Sequence, residues 1–167
     1  MTDLAATSKY QNWNPDLAQR TVQEFADKPG ALIVALHKLQ EIFGYVDEAA
    51  IMLLAKTFNL SRAEVHGVTS FYHDFRHHKP GHYTIKVCQA EACQAMGSEE
   101  LTAGIKAHLG IDFHETTPTG EFSLEPVYCL GNCACCPNIM IDDQVHARMS
   151  VERFKTLTRS LVEEANR

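Results

Sequence analysis

Six cysteines are the residues of this 167-residue chain whose type and spacing could do chemistry. Cys88 and Cys93 are separated by four residues, and the segment 127–137 holds the others, which are Cys129, Cys133, Cys135 and Cys136. Thiols at this density either form disulfides or bind a soft metal centre, because sulfur prefers zinc and iron–sulfur centres to calcium or magnesium. The expected cellular location decides between these two uses.

The first ten residues are polar and contain no cationic segment followed by an apolar core. We therefore predict neither a secretion signal nor a transit peptide, and no stretch is apolar enough to predict a membrane span. These features predict a cytoplasmic protein, in which thiols stay reduced. Six cysteines in that compartment favour metal or redox chemistry over a disulfide scaffold.

The composition narrows the class of partner. A hydrophobic content of 45% is enough for one domain or for two small ones, and the formal net charge is −6. Lys and Arg residues are scattered singly, so the chain lacks the basic patch that nucleic-acid binding requires. We expect a protein partner with a positive face.

The residues before the cysteines predict a small helical bundle. Residues 1–13 show no period and predict a flexible arm, and residues 14–78 predict four short helices. Asn14 caps the first, Gly44 ends the second, Asp47 caps the third and Ser61 with Glu64 forms a capping box for the fourth. We expect this bundle to be structural.

The apolar period changes from helical to alternating across the polar link at 76–81, which predicts a domain boundary there. Residues 83–87 predict a strand that ends at Cys88, and Ser98 is predicted to cap a helix that Gly110 stops. A parallel return strand at 122–127, a hairpin and a final helix complete the pattern. The fold class predicted is α+β, with a thioredoxin-like β-α-β-β-α domain over residues 79–167 and a four-stranded mixed sheet.

The cysteines form two pairs, each in a loop directly after a predicted strand. Cys88 and Cys93 are one pair, Cys129 and Cys133 are the other, and two strand-end loops can converge. Four thiolates suit zinc or an iron–sulfur cluster. The spacing approaches that of structural zinc sites without matching the common ribbon, and it differs from plant-type, bacterial and Rieske ferredoxins. Both centres stay open on spacing alone.

Several motifs together resemble the thioredoxin-like [2Fe-2S] subunit (24 kDa subunit) of the respiratory NADH dehydrogenase family. The resemblance spans about residues 14–150. The motifs occur in the family's order, and they are Gly30-Ala31-Leu32, Leu39 to Val46, Leu60 to Val68, Ser70-Phe71-Tyr72, Cys88-x4-Cys93 and Cys129-Leu130-Gly131-Asn132-Cys133.

This resemblance implies one [2Fe-2S] cluster held by Cys88, Cys93, Cys129 and Cys133. It also implies docking beside a flavoprotein subunit that carries FMN, the NAD site and a [4Fe-4S] cluster. The chain itself would then be a non-catalytic electron-transfer subunit of an oxidoreductase, inactive alone. The chain has no nucleophile–base pair and no phosphate-binding glycine loop, which agrees with that expectation.

Members of the family also serve NAD-reducing hydrogenases and NAD-dependent formate dehydrogenases. The segments 89–97 and 132–135 look most like the gamma subunit of the cytoplasmic molybdenum-containing formate dehydrogenase. That likeness implies a second partner, a catalytic subunit with a molybdenum cofactor. The equivalent subunit of NADH:quinone oxidoreductase or of a NAD-reducing hydrogenase is the alternative. A zinc-stabilised scaffold module is the alternative of another class.

Cys135-Cys136-Pro137 departs from the respiratory pattern, where small or apolar residues are usual. Cys135 or Cys136 could replace Cys133 as a ligand if the loop shifted, but we expect Cys133 to bind. We interpret the other two as small buried residues beneath the loop. A thiol oxidoreductase using this adjacent pair is disfavoured, because neighbouring residues form strained disulfides.

The nine histidines are not predicted to form a second metal site. The densest group is His73, His77 and His78, and no carboxylate stands at ligand spacing from it. We expect these side chains to be solvated. For His66 we expect a capping or packing role.

Overall fold

The computed structural model describes residues 9–165, which divide into two compact units, residues 9–79 and residues 80–165. Within the described range, no helix is long and apolar enough to cross a membrane. The α+β class predicted from the sequence is confirmed, with seven helices and one five-stranded sheet among the described residues.

The first unit consists of four helices, α1 (Pro15–Gln23), α2 (Leu32–Phe43), α3 (Glu48–Phe58) and α4 (Arg62–Phe71). Their starts follow the predicted caps. The Asn14 side chain accepts hydrogen bonds from the backbone of Asp16 and Leu17, and Asp47 accepts one from Ala49. Ser61 and Glu64 form the predicted capping box, so three helix starts are fixed by local side chains.

The predicted helix ends are also present. Gly44 and Asn59 adopt left-handed conformations, with φ of 83° and 52°, directly after α2 and α3. The helices pack around one apolar core whose largest fully buried side chains are Val22, Leu36, Leu39, Phe43, Val46, Leu54 and Val65. This unit holds none of the cysteines.

The predicted arm falls partly outside the residues that the structure describes, which begin at residue 9. Its last residues contact the bundle. The backbone N–H of Gln11 donates to the carbonyl of Ile42, and the Trp13 ring lies 4.8 Å from the Phe43 ring, centroid to centroid. Residues 11–13 are therefore anchored on α2.

The second unit contains the elements β1 (Tyr83–Cys88), α5 (Glu91–Ala95), α6 (Ser98–Leu109), β2 (Glu115–Thr116), β3 (Phe122–Val127), β4 (Ile139–Ile141), β5 (Gln144–His146) and α7 (Val151–Ala165). The sheet order is β2-β3-β1-β4-β5. Strands β1 and β3 are parallel, as predicted, and the other neighbours are antiparallel. The predicted succession of a strand, a helix, a parallel return strand, a hairpin and a final helix is present as β1, α6, β3, β4–β5 and α7, and the structure adds α5 and β2 to it.

Three details differ from the sequence prediction. The sheet has five strands and not four, because the two-residue strand β2 pairs with β3. The segment predicted as a loop around Cys93 contains the short helix α5. Ser98 is the first residue of α6 rather than its cap, which is the left-handed Gly97. The Ser98 hydroxyl instead bonds the end of β1.

The core of this unit lies between the sheet and its helices. The buried side chains of Ile85, Val87, Leu124 and Ile139 come from the three central strands, and Ile105 and Phe154 come from α6 and α7. These large side chains anchor β1 and β3 by apolar burial. The carboxyl ends of both strands are therefore fixed in place, and the cysteine loops start from them.

Candidate metal centre

The two cysteine loops leave the sheet side by side. Cys88 is the last residue of β1 and pairs in register with Val127, the last residue of β3. Parallel neighbours end at the same edge of a sheet. Cys129, two residues beyond β3, thus begins its loop next to Cys88, and the backbone of Leu130 in that loop has a small lowering effect on the pKa of the Cys88 thiol.

The first loop buries its two thiols. Cys88 is 2% exposed and Cys93 is 1% exposed. Helix α5 places Cys93 back against Cys88, and the two buried side chains belong to one small apolar cluster with Cys136. The Ser98 hydroxyl donates to the Cys88 carbonyl at 2.6 Å. Burial raises the pKa of the Cys88 thiol, and the backbone N–H of Ala90 opposes that rise by bonding its sulfur.

The second loop exposes its two thiols. The Cys129 and Cys133 sulfurs are 3.9 Å apart, and the Gly131 N–H donates to the Cys129 sulfur at 3.3 Å. Gly131 has φ of 72°, a left-handed conformation that glycine adopts without strain. The hydrogen bond with Cys129 and the charge of that thiolate raise the pKa of Cys133, and Cys93 and Cys88 add smaller effects of the same sign. The four predicted ligands therefore share one electrostatic neighbourhood.

The remaining two cysteines lie under this second loop. Cys136 is buried at 7% exposure, its sulfur is 3.2 Å from that of Cys93, and its thiol donates to the Cys133 carbonyl at 3.0 Å. Cys135 is half-buried. Cys136 therefore occupies the buried packing position expected of it, although its sulfur also touches a predicted ligand. Cys133 and Cys136 are separated by two residues, as in a Cys-x-x-Cys motif. This spacing indicates that the two are close, although they are not predicted as a pair.

Two asparagines join the loops, and the sequence prediction missed both as site residues. Asn138 is 1% exposed. Its Nδ2 donates to the Asn132 carbonyl at 2.8 Å, and its Oδ1 accepts from the Asn132 side chain at 3.1 Å. The Asn138 carbonyl accepts the Cys88 N–H at 3.1 Å. The sequence does show that Asn138 is a polar residue directly before an apolar strand. It does not show which residues Asn138 contacts, because some of them are far away in the sequence.

The donor set fits a two-iron cluster by its chemistry. The four predicted ligands offer only sulfur, which suits a soft centre, and a [2Fe-2S] cluster takes two cysteine thiolates on each iron. The backbone N–H of Gly131 bonds the Cys129 sulfur, and the backbones of Ala90 and Leu130 lower the pKa of Cys88 against the effect of burial. Within residues 9–165, no three or more His, Cys, Asp and Glu side chains are gathered where they could hold a metal ion together. The thiols stand as pairs, and their assignment as ligands stays a prediction.

The histidines singled out in the sequence, His66, His73, His77 and His78, belong to the helical unit, which contains no cysteine. His73, His77 and His78 are exposed, as expected for solvated side chains. His66 is also exposed on α4, so the expected packing role is wrong for its side chain. It takes part in the helix through its carbonyl, which accepts from the Thr69 hydroxyl at 3.0 Å.

Comparison with known proteins identifies the family of this chain. The profile of the thioredoxin-like [2Fe-2S] ferredoxin family matches residues 18–162. The chain belongs to this family. The resemblance drawn from the motifs is therefore confirmed at the level of the family, and the family supports a [2Fe-2S] cluster as the cofactor. Its particular likeness to the formate dehydrogenase subunit stays a prediction.

Curated proteins that are similar to this chain belong to hydrogenases and to quinone oxidoreductases. The chain is 32% identical over 136 residues to the HndA subunit of the NADP-reducing hydrogenase of Solidesulfovibrio fructosivorans, covering 81% of this chain and 80% of the relative. It is 33% identical over 142 residues to a subunit of the NADH-quinone oxidoreductase of Aquifex aeolicus, covering 84% and 89%. The match to a NADH-quinone oxidoreductase subunit of Pseudomonas aeruginosa is 34% over 128 residues, 77% of each chain.

Solved structures support the fold. A NAD+-reducing [NiFe]-hydrogenase in the H2-reduced state superposes with a TM-score of 0.67 over 80% of this chain, at 22% identity. The air-oxidised state of such an enzyme gives the same TM-score. The chain spans 22% and 23% of the length of those hydrogenase chains. At this identity the likeness concerns the fold alone.

Proposed function

We propose that this chain is the [2Fe-2S] electron-transfer subunit of a NAD-dependent formate dehydrogenase complex. Cys88, Cys93, Cys129 and Cys133 hold the cluster, and the chain exchanges single electrons with a flavoprotein subunit that carries FMN, the NAD site and a [4Fe-4S] cluster. The observation that supports the proposal is that both cysteine loops leave the sheet at the ends of two paired parallel strands, in a chain of this family. When bound, the cluster supplies one-electron storage or relay, whereas the flavin handles hydride.

The chain's own residues prepare the site for that task. Buried Cys88 and Cys93 exclude water from one side, while exposed Cys129 and Cys133 face outward. Backbone N–H groups aimed at sulfur stabilise negative charge on the thiolates. An electron can then reach the exposed side, because transfer between proteins needs a short path and no covalent contact.

The electron-transfer step has a direct test. We expect the purified chain to be red-brown, to contain iron and to oxidise neither formate nor NADH alone. After addition of the flavoprotein subunit, NADH should reduce the [2Fe-2S] cluster of this chain. The reduced cluster should give a paramagnetic resonance signal of one unpaired electron for each cluster. A colourless protein with zinc would contradict the proposal and support the scaffold alternative, since zinc has no redox chemistry. Normal turnover of the complex while this cluster stays oxidised would also contradict it.

The formate assignment rests on the likeness of segments 89–97 and 132–135 to the gamma subunit of the molybdenum-containing enzyme. Relatives that are 32–34% identical are named as hydrogenase or quinone oxidoreductase subunits, so those complexes are the alternatives. The test is purification of the complex through this chain from its native source. Molybdenum and formate-dependent NAD reduction support the assignment. Nickel or quinone reductase activity would replace it with one of the alternatives.

We assign the docking role to the helical unit, which contains no cysteine. Phe71 and Tyr72, within the Ser70-Phe71-Tyr72 motif at the end of α4, are 73% and 45% exposed. Exposed adjacent aromatics are typical anchors of protein interfaces. Replacing both by Ala should weaken association with the flavoprotein subunit and leave the cluster spectrum unchanged. Met52→Ala, which removes another exposed apolar side chain of this unit, is the control. Equal association of both variants would contradict this role.

A further inference from the structure

Asn138 lies where the second cysteine loop returns to the sheet, one residue before β4. It is a polar side chain at 1% exposure, so desolvation of its amide must be offset by hydrogen bonds. Its backbone carbonyl accepts the N–H of Cys88, the last residue of β1, at 3.1 Å. Asn138 is thus fixed to the first cysteine loop by its backbone.

The Asn138 side chain is hydrogen bonded to the second cysteine loop. Nδ2 donates to the Asn132 carbonyl at 2.8 Å, and Oδ1 accepts from Asn132 Nδ2 at 3.1 Å. The reciprocal pair also sets the orientation of the amide, because a flipped amide would place two oxygens against each other. Asn132 directly precedes Cys133, so this pair positions a predicted ligand.

The same Nδ2 faces two sulfurs. It lies 3.7 Å from the Cys93 sulfur and 3.7 Å from the Cys136 sulfur. A primary amide carries two N–H groups, and the one not used by Asn132 is directed toward this sulfur pair. When Cys93 is a thiolate, its negative charge makes it the stronger acceptor of the two.

We infer that Asn138 is a positioning residue of the cluster site, which ties the two cysteine loops together and donates an N–H to the sulfur of Cys93. The inference rests on the proposed function, since it takes Cys93 and Cys133 as ligands. Hydrogen bonds to the sulfurs of an iron–sulfur cluster are among the factors that set its reduction potential. They favour the reduced state, because that state carries one more negative charge. Asn138 therefore raises the potential of the site and slows loss of iron.

The experiment compares three variants of the full chain. Asn138→Ala removes both the hydrogen bonds to Asn132 and the N–H donor to the Cys93 sulfur. Asn138→Asp keeps the side-chain volume and replaces the donor by an oxygen, so it serves if the alanine variant does not fold. Asn132→Ala is the matched control, because it removes the contact with Asn138 Oδ1 and keeps the Nδ2 donor and the backbone carbonyl that it bonds.

The readouts are the reduction potential, the paramagnetic resonance spectrum and the rate of iron loss to a chelator. We expect both Asn138 variants to have a lower potential than wild type, an altered spectrum and roughly 10–100-fold faster iron loss, as found when groups around a metal site are removed. Asn132→Ala should shift the potential less than either Asn138 variant, because the Nδ2 donor of Asn138 stays. A wild-type potential in both Asn138 variants would overturn the inference, and so would an equal shift in Asn132→Ala. A wild-type chain without iron would instead refute the proposed function.

Discussion

The two cysteine loops use the same ligand type in opposite surroundings. Cys88 and Cys93 are 2% and 1% exposed and are held by β1, α5 and the Ser98 hydroxyl, whereas Cys129 and Cys133 are exposed and are held by a glycine turn and by Asn138. The thiols of the first loop are part of the folded core, whereas those of the second loop lie at the protein surface. Substitution of a cysteine predicted as a ligand in the first loop should therefore change folding and cluster binding together, and substitution of one in the second should change binding alone.

Serine substitution of the ligands has the largest expected effect and tests this difference directly. Cys93→Ser and Cys133→Ser should each lose the cluster or show a changed visible spectrum, because serine oxygen is a harder ligand than thiolate. Without iron, only Cys93→Ser should be less stable, since a buried hydroxyl lacking a full set of partners costs about 1–3 kcal/mol. Iron content, absorption and thermal unfolding of the iron-free chains measure both effects.

Two outcomes would break this prediction. If Cys133→Ser keeps a normal spectrum while Cys135→Ser or Cys136→Ser loses it, the ligand assignment in the second loop is wrong. If the iron-free Cys93→Ser and Cys133→Ser chains unfold at the same temperature, burial does not separate the two loops.

The sequence predicts the helical unit more completely than the site. Asn14, Asp47 and the Ser61–Glu64 box mark helix starts through hydrogen bonds that span two or three residues, so the sequence contains the whole interaction. The strand ends at Cys88 and Val127 are likewise predictable from alternation, and parallel pairing then brings the loops together. These two local signals account for the correct fold class.

The site depends on contacts that span more residues. Strand β2 has two residues and is defined only by its pairing with β3. The Asn138 amide contacts Cys93, which lies 45 residues earlier, and Ser98 bonds Cys88 across the turn that contains α5. Short elements carry little periodicity, and buried polar partners are chosen by tertiary packing. For this reason the sequence offers candidate ligands but does not indicate the residues that contact them.

Ser98→Ala tests how firmly the first loop is held. Ser98 is 0% exposed and its hydroxyl donates to the Cys88 carbonyl at 2.6 Å, so its removal leaves a buried acceptor with one partner fewer. We expect a loss of about 1–3 kcal/mol in the free energy of unfolding. Ser70→Ala is the matched control, because its hydroxyl bonds the Gly67 carbonyl from an exposed position. Equal losses in denaturant titrations of both variants would show that the first loop does not need this bond.

Gly131→Ala tests the turn of the second loop. Its φ of 72° is left-handed, and no atom lies within 4 Å of an added Cβ, so the cost is conformational and not steric. We expect about 1–2 kcal/mol of strain. In the iron-loaded chain this strain should appear as faster iron loss to a chelator. Gly67→Ala, in helix α4 and equally open, is the control and should stabilise the chain by about 0.5–1 kcal/mol. Unchanged iron loss in Gly131→Ala would show that the turn does not control the second loop.

Cys135→Ala should have the smallest effect, and for that reason it separates ligands from neighbours within the second loop. Cys135 is half-buried, and the contacts that fix it are made by its backbone: its N–H donates to Asn132, and its carbonyl accepts from Arg148. Alanine keeps both bonds, so the free energy of unfolding should change by about 0.5 kcal/mol or less. The visible spectrum and the iron content should equal those of wild type. Cys136→Ala should retain the cluster too but shift its spectrum, because that change removes a sulfur 3.2 Å from Cys93. Loss of iron from Cys135→Ala would move the fourth ligand two residues along the loop, and the exposed thiol of Cys133 would then be the neighbour.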